Sequence, residues 1–459
     1  MLKLSIIIVF LLLTLLFSYY SDNKCLFSPS FFFFGGFLAS VIYAIKYVDI
    51  IELYMHFDTV FILITGFAVF AIVCIFINYT YKYLKQDYFI TKYSGEEEKS
   101  VTDIYIEPWK HILMGAIGLF VAGAFSIYLL KISETNSISE AVHYWDTTNK
   151  FTEITLDIPS YISVLRLFSD AVCYIELYLL AHQLIYKYKS FRLMIIINII
   201  IGIVNTALTG GRDGIIEIAF AMVFFLYFIY KDKYNWKRKI NPKIIIGLII
   251  VGVVAIIVFY FSAELMGRGK QRGLLDYICV YLSAELKNLD TFVREGKFGT
   301  DIAHSQTLAN LRIYLAKRYG FVGWGEKLDI PFKEINGFGL GNVYTIFYMF
   351  LYDGGYKSLY FYTTIVAACS QLLFVFVRYS KIVNYSKINV ALIIYAMISY
   401  AVLFSFFSNR FFELVLNVGF WRTNIIILVL AYLLQDFRFQ NYDNVNCIRK
   451  YSLKKSYRI

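Results

Sequence analysis

KIIIGLIIVGVVAIIVFYF, residues Lys243–Phe261, presents apolar side chains on nearly every face of a helix, and RLMIIINIIIGI, Arg192–Ile203, does the same. Neither has the polar–apolar alternation of a barrel strand. A hydrocarbon core of about 30 Å takes roughly 20 such residues at about 1.5 Å rise each, and in lipid a helix satisfies its own backbone. Stretches like these recur along a chain of 459 residues that is 59% hydrophobic and 17% charged. That composition leaves too little polar surface to clothe an ordinary soluble core. The expected fold class is an all-α polytopic membrane protein.

The expected spans lie at about 4–20, 29–47, 57–79, 111–130, 161–185, 192–209, 214–230, 243–263, 356–377, 388–408 and 421–436, about 11 transmembrane helices. Leu4–Phe17 has no small-residue cleavage site after it, so it reads as a retained span and not as a signal peptide. Pro29, Pro108, Pro159 and Pro242 stand at or just before span starts, where a missing N–H costs little. Lys and Arg set the orientation: 231–243 and the tail after Phe437 each hold six, and 186–192 holds three. These segments are expected inside, which places the C-terminus in the cytoplasm and, with an odd number of spans, the N-terminus outside.

Four parts follow: a first membrane block over 1–263, a long extracytoplasmic loop over 264–341, a second block over 342–437, and a basic cytoplasmic tail over 438–459. Between Asn342 and Val377 the chain must cross an odd number of times, yet Val343–Tyr352 is half a span long and ends at Asp353-Gly354-Gly355. A re-entrant or interfacial half-helix followed by one full span is expected there, lining a cavity. The net charge of +11 reads as positive-inside anchoring to anionic membrane lipids, not as nucleic-acid binding. Six cysteines without paired spacing argue against disulfides, zinc and iron–sulfur clusters.

Arginines gather on the side expected to face out: Arg166 early in the fifth span, Arg212 in the connection TGGRDG, and Arg268 and Arg272 after the eighth span. A guanidinium suits bidentate capture of phosphate oxygens, and the glycines around Arg212 leave N–H groups open to an anion. The plainer readings are an Arg166–Asp170 ion pair, a snorkelling Arg212, and a solvated loop for the other two. In the long loop, Leu275, Ile278, Leu282, Leu286, Leu289 and Val293 recur at helical spacing. The opposite face carries Asp276, Ser283, Lys287 and Asp290, either solvated or presenting carboxylates to a sugar. A second amphipathic piece near 301–319 carries His304, and Tyr277, Tyr281, Phe292, Phe321, Trp324 and Phe338 are candidates to stack on sugars.

Gly341-Asn342-Val343-Tyr344-Thr345, continuing to Tyr352-Asp353-Gly354-Gly355, resembles the N-V-Y-T…Y-D-F-G signature of bacterial oligosaccharide repeat unit polymerases, the Wzy-type O-antigen and capsule polymerases. Thr209-Gly210-Gly211-Arg212 is similar to that family's small-residue-plus-Arg motif, and Asn23–Phe31 (NKCLFSPSF) to its first inside turn. Gly354 stands where the family usually has Phe. The resemblance implies a glycosyltransferase of the bacterial cytoplasmic (inner) membrane that joins undecaprenyl-diphosphate-linked oligosaccharides, with no cofactor and no metal. A chain-length regulator is a potential partner. It implies Arg166, Arg212, Arg268 and Arg272 as diphosphate ligands, Asn342, Tyr344 and Thr345 as further substrate contacts, and Asp276, Asp290, His304 or Asp353 as the catalytic base.

Two alternatives stay open. An O-antigen ligase would show R-x3-L and H-x6-G patterns; here Ile216 takes the Leu position after Arg212, and no glycine stands seven residues after His304. A flippase or transporter would show repeated halves, and none is visible in this chain.

Overall fold

The computed structural model describes residues 1–84, 103–151, 156, 158–211, 213–238, 257, 274–326, 330–380, 385 and 387–435. The chain divides into two compact units, one of Met1–Glu96, Ile256–Val383 and Ile394–Trp421, the other of Glu97–Ala255, Asn384–Ile393 and Arg422–Ile459. Helices α1 (Leu2–Ser21), α2 (Pro29–Tyr47) and α3 (Phe57–Leu84) open the first unit. The second contains α4 (Pro108–Ser133), α5 (Ile138–Phe151), α6 (Ser160–Tyr186), α7 (Arg192–Ala207) and α8 (Asp213–Lys233). The first unit resumes with α9 (Leu274–Leu282), α10 (Ala284–Glu295), α11 (Ala309–Tyr319), strands β1 (Lys333–Ile335) and β2 (Phe338–Gly341), and α12 (Ile346–Tyr379). Then come α13 (Val390–Leu403), α14 (Arg410–Val415) and α15 (Val418–Gln435).

Among the described residues, six helices (α1, α2, α3, α4, α8 and α12) are long and apolar enough to cross a membrane, and Arg192–Ala207, Val390–Phe406 and Val418–Leu434 are shorter apolar helices. Each expected span on described residues coincides with helix; the one at 243–263 lies outside them, save Ile257. Pro29 and Pro108 occupy first-turn positions of α2 and α4, and the Ser28 hydroxyl accepts from the Phe31 amide at 3.4 Å.

Two elements stand out against the expected layout. Helix α5 occupies a stretch read as outer connection. A two-stranded antiparallel hairpin pairs β1 with β2 through Asn336 and Gly337, both at positive φ. Asn-Gly is the turn whose backbone twist matches a tight hairpin, so Ile335-Asn336-Gly337-Phe338 carries its own local signal.

An aromatic cluster forms the core of the first unit. Phe33 stacks on Phe70 at 3.9 Å, and Phe37 on Phe347 at 5.5 Å. Each such pair contributes about 0.5–1.5 kcal/mol beyond its area. Gly66 is required here, because a Cβ at that position would lie 2.7 Å from the Phe347 ring.

Helix α12 is broken at Gly354 and Gly355, and Gly355 has φ +63 and ψ −144, open to glycine at low cost. The short arm, 346–353, sets Phe347 against Gly66 and Phe67 of α3. After the break Tyr356 meets Phe61, nearer the start of α3, and the Ala367 carbonyl accepts from Cys74 further along. The short arm therefore runs toward the start of α3 and the long arm away from it. Phe350 and Tyr362, twelve positions apart, lie only 5.3 Å from each other across the reversal. The reversal falls at the Asp353-Gly354-Gly355 break expected from sequence.

The ends of α1, α3 and the long arm meet in one polar cluster. Arg378 donates to the carbonyls of Asp22 and, at 3.1 Å, of Asn23, while Lys82 and Asn78 reach the Ser21 carbonyl at 2.6 and 2.7 Å. The buried Asp22 carboxylate accepts from Asn78, Gln371 and Ser30 at 2.9, 3.1 and 3.1 Å. These bonds take up carbonyls that a helix C-terminus leaves without partners.

Candidate functional site

At the opposite end of α3, the expected long amphipathic helix is two helices, α9 and α10, meeting at Ser283. Its polar face is not solvated, which corrects the sequence reading: Ser283, Glu285, Lys287, Asn288 and Asp290 are all buried. Each has found a partner. Asp290 accepts from the His56 amide and the Thr59 hydroxyl, both at 2.7 Å, and so caps α3 from a distant part of the chain. Glu285 accepts from Ser40 at 2.7 Å, Lys287 donates to the Glu52 carbonyl at 2.6 Å, and Asn288 to the Val343 carbonyl at 2.8 Å. Burial pushes the Glu285 carboxyl up to about 8, against the opposing Ser40 hydrogen bond, so it is largely protonated at neutral pH.

Asp353, last residue of the short arm, holds the loop after His304. Its Oδ2 accepts from the Ser305 hydroxyl at 2.6 Å and the Thr307 amide at 3.1 Å, and its Oδ1 from the Gln306 amide at 2.8 Å. The buried Arg312 side chain binds the same loop from beneath, donating to the carbonyls of Ser305 at 3.2 Å, Trp324 at 2.5 Å and Glu326 at 2.8 Å. With both oxygens engaged, Asp353 sits as a clamp.

The loop so held presents His304. Asp301 opens a 3-10 turn, Ile302–His304, and its Oδ1 accepts from the His304 amide at 3.1 Å and lies 2.7 Å from His304 Nδ1. The His304 hydrogen bond is the main cause holding the Asp301 carboxyl below the usual carboxylate range. In the neutral tautomer that places its proton on Nδ1 toward Asp301, Nε2 is a lone-pair acceptor, and among the described residues nothing bonds it. The side chains are 43% and 66% exposed, so a substrate in water can reach them. A carboxylate that orients a histidine whose far nitrogen is free is the arrangement of a general base.

Beside this loop is a cavity of about 190 Å³ lined by Phe292, Glu295, Lys297, Gln306, Pro331, Lys333, Tyr344, Tyr348 and Tyr352. The three tyrosines follow one another at four-residue spacing, the latter two on one face of the short arm, with centroids 4.2 and 6.1 Å apart. Phe292 meets Tyr348 edge-on at 4.5 Å. On the rim, Glu295 lies 3.2 Å from the Lys333 ammonium and 3.9 Å from that of Lys297.

The residues singled out from sequence have different fates. Tyr344 lines the cavity and donates to the Pro331 carbonyl at 3.3 Å. Thr345 is buried at the start of α12, its hydroxyl unbonded among the described residues, and Asn342 is half-buried in the turn before it. Arg166, in the second unit, lies over the Phe125 ring at 4.3 Å and within electrostatic reach of Asp170. Arg212, Arg268 and Arg272 lie outside the described residues, as does the side chain of Asp276 in α9. Of the loop aromatics with described side chains, Phe292 lines the cavity; Tyr281 stacks on Phe407, and Phe321 and Trp324 stack on each other.

Asp301 was missed, although Asp-x-x-His at a turn is legible as a carboxylate capping the amide of the residue three along. Also missed was a buried set in the second unit: His111 Nδ1 lies 2.7 Å from Glu176, and Asn198 donates to the same carboxylate at 2.8 Å. Their spacing over three helices gives no local signal. The chain matches no family model, and no curated protein or solved structure is significantly similar to it.

Proposed function

We propose that the protein polymerises undecaprenyl-diphosphate-linked oligosaccharide repeat units at the outer face of a bacterial cytoplasmic membrane. On this reading the chain crosses the bilayer about 11 times with its N-terminus outside and its C-terminus in the cytoplasm, and the short arm of α12 is a re-entrant half-helix. The observation that carries it is the Asp301–His304 pair, with Nε2 free, on a loop fastened by the Asp353 of the Tyr352-Asp353-Gly354-Gly355 resemblance. Sidedness supports it. Lys82 and Arg378 stand together at one end of the first unit, the end that the positive-inside rule puts in the cytoplasm, which leaves His304 at the outer end.

The chemistry is glycosyl transfer. His304 Nε2 takes the proton of an acceptor hydroxyl as its oxygen attacks the anomeric carbon of the donor. The bond from that carbon to the diphosphate oxygen breaks, and the electron pair leaves on undecaprenyl diphosphate. The proton on His304 then passes to water or to the leaving group. Arg166, Arg212, Arg268 and Arg272 are the candidates to neutralise the diphosphate as charge builds on it. Membrane lipids surround the helices, and a chain-length regulator is the expected protein partner.

The test is polymer formation by the purified protein in proteoliposomes supplied with lipid-linked repeat units. His304→Ala should leave single units unjoined; wild-type chain lengths from that variant would refute His304 as the base, and no polymer from the wild-type protein would refute the reading. In cells lacking the protein, single units on undecaprenyl diphosphate are expected. Finished polymer on that lipid would instead identify a ligase.

A further inference from the structure

We infer that the tyrosine-lined cavity beside His304 binds one pyranose ring at the end of a glycan, and that Tyr352, Glu295 and Gln306 select it. The inference rests on the polymerase reading, in which this ring is the non-reducing end of the acceptor, and it deepens that reading by giving the ring a place.

Size comes first. A volume of about 190 Å³ lies below the roughly 300–1,000 Å³ of pockets for drug-sized ligands. That is space on the scale of one six-membered ring with its hydroxyls, the rest of a glycan being left at the open side.

The walls fit the same ligand. A pyranose presents a face of weakly positive C–H bonds, which suits the negative face of an aromatic ring, and an edge of hydroxyls that both donate and accept. Tyr344 and Tyr348 are buried, with their rings tilted against each other, so they are held without ligand. Tyr352 continues the row where the exposure rises. On the rim, Glu295 offers acceptors, Lys297 and Lys333 offer donors, and Gln306 offers both, the mixture that neighbouring hydroxyls need. The rim is wet: the side chains of Lys297 and Glu295 are 78% and 37% exposed.

Placement ties the cavity to the base. Gln306 lines the cavity, its amide is fixed by Asp353, and His304 stands two residues before it on the same loop. Asp353, Gln306 and Tyr352 thus link the broken helix, the sugar pocket and the loop of the histidine through one hydrogen bond and neighbouring positions in the chain. Asp353 is a positioning residue in this scheme.

Saturation-transfer NMR on the full-length protein in nanodiscs, with a panel of methyl pyranosides (glucoside, galactoside, mannoside, N-acetylglucosaminide, N-acetylgalactosaminide), tests this. At least one member should receive saturation, and Tyr352→Ala and the rim variant Glu295→Gln should each weaken its binding by about tenfold, the loss of one contact of about 1.4 kcal/mol. Circular dichroism shows whether each variant keeps its helices; Glu295→Gln removes an exposed charge and keeps the shape. No transfer to any member, or transfer unchanged in both folded variants, overturns the inference. Sugar binding with no polymer from the wild-type protein would leave the pocket standing and the polymerase reading fallen; polymer from the wild-type protein without sugar binding would do the reverse.

Discussion

The two polar ends of the first unit use charge in opposite ways. Around Asp22, the guanidinium of Arg378, the ammonium of Lys82 and the amides of Asn78 and Gln371 all point at backbone carbonyls or at one buried carboxylate. Around His304, a carboxylate and an imidazole stand in water, bonded to each other and with a nitrogen to spare. A buried polar group must be satisfied or it costs free energy, so the first end is committed to holding helices together. An exposed group can leave valence open at little cost, and open valence beside a cavity is what a substrate can use. Asp290 and Asp353 show that the contrast is not simply one end against the other: neither belongs to the Asp22 cluster, and both are consumed by amides and hydroxyls.

If the contrast and the polymerase reading both hold, His304→Ala should lower the polymerisation rate by about 10²–10⁴-fold with an unchanged melting temperature. Equal losses of rate and stability would make His304 structural. The next largest effect concerns Glu285. Its folded pKa is raised to about 8, so the folded state keeps a proton that the unfolded chain releases above its ordinary range. That stability is present at low pH and lost as pH climbs toward 8, a change on the order of 4 kcal/mol. Melting curves from pH 5 to 9 should fall for the wild type and stay flatter for Glu285→Gln.

Arg378→Leu should destabilise by about 3 kcal/mol, because carbonyls at the end of α1 lose charge-assisted partners. Scanning fluorimetry should show the lower melting temperature, and the rate per folded molecule should hold. A rate loss beyond the folded fraction would carry chemistry to the Asp22 end and break the comparison. The smallest effect is expected of Asp301→Asn. The amide oxygen still accepts from Nδ1–H, so only the charge assistance goes, worth on the order of tenfold in rate. A loss as large as that of His304→Ala would mean Asp301 does more than orient the ring.

Much of this was open to reading along the chain. The apolar stretches, the prolines at helix starts and the break at Asp353-Gly354-Gly355 are local features, and lipid or backbone geometry acts on each where it stands. The Asn336-Gly337 hairpin and the Asp301–His304 turn are equally local; their signals were present and were overlooked beside a composition dominated by helices. The polar face of α9 and α10 misled for a different reason. Periodicity reports which residues share a face, and says nothing of whether that face meets water or the ends of other helices.

What the sequence determined by itself is the solvent and the elements: a helical chain for lipid, with a half-helix before its ninth expected span. Tertiary structure alone decided which charges are spent and which are available. Asp290, Asp301 and Asp353 are the same chemical group within one stretch of chain, yet His304 meets Asp301 within one turn, while His56 and Ser305 reach Asp290 and Asp353 by packing that joins positions up to 234 residues apart. Hydrogen bonds are satisfied in space, and a carboxylate is a cap, an orienting partner or a clamp according to which donors the fold brings to it.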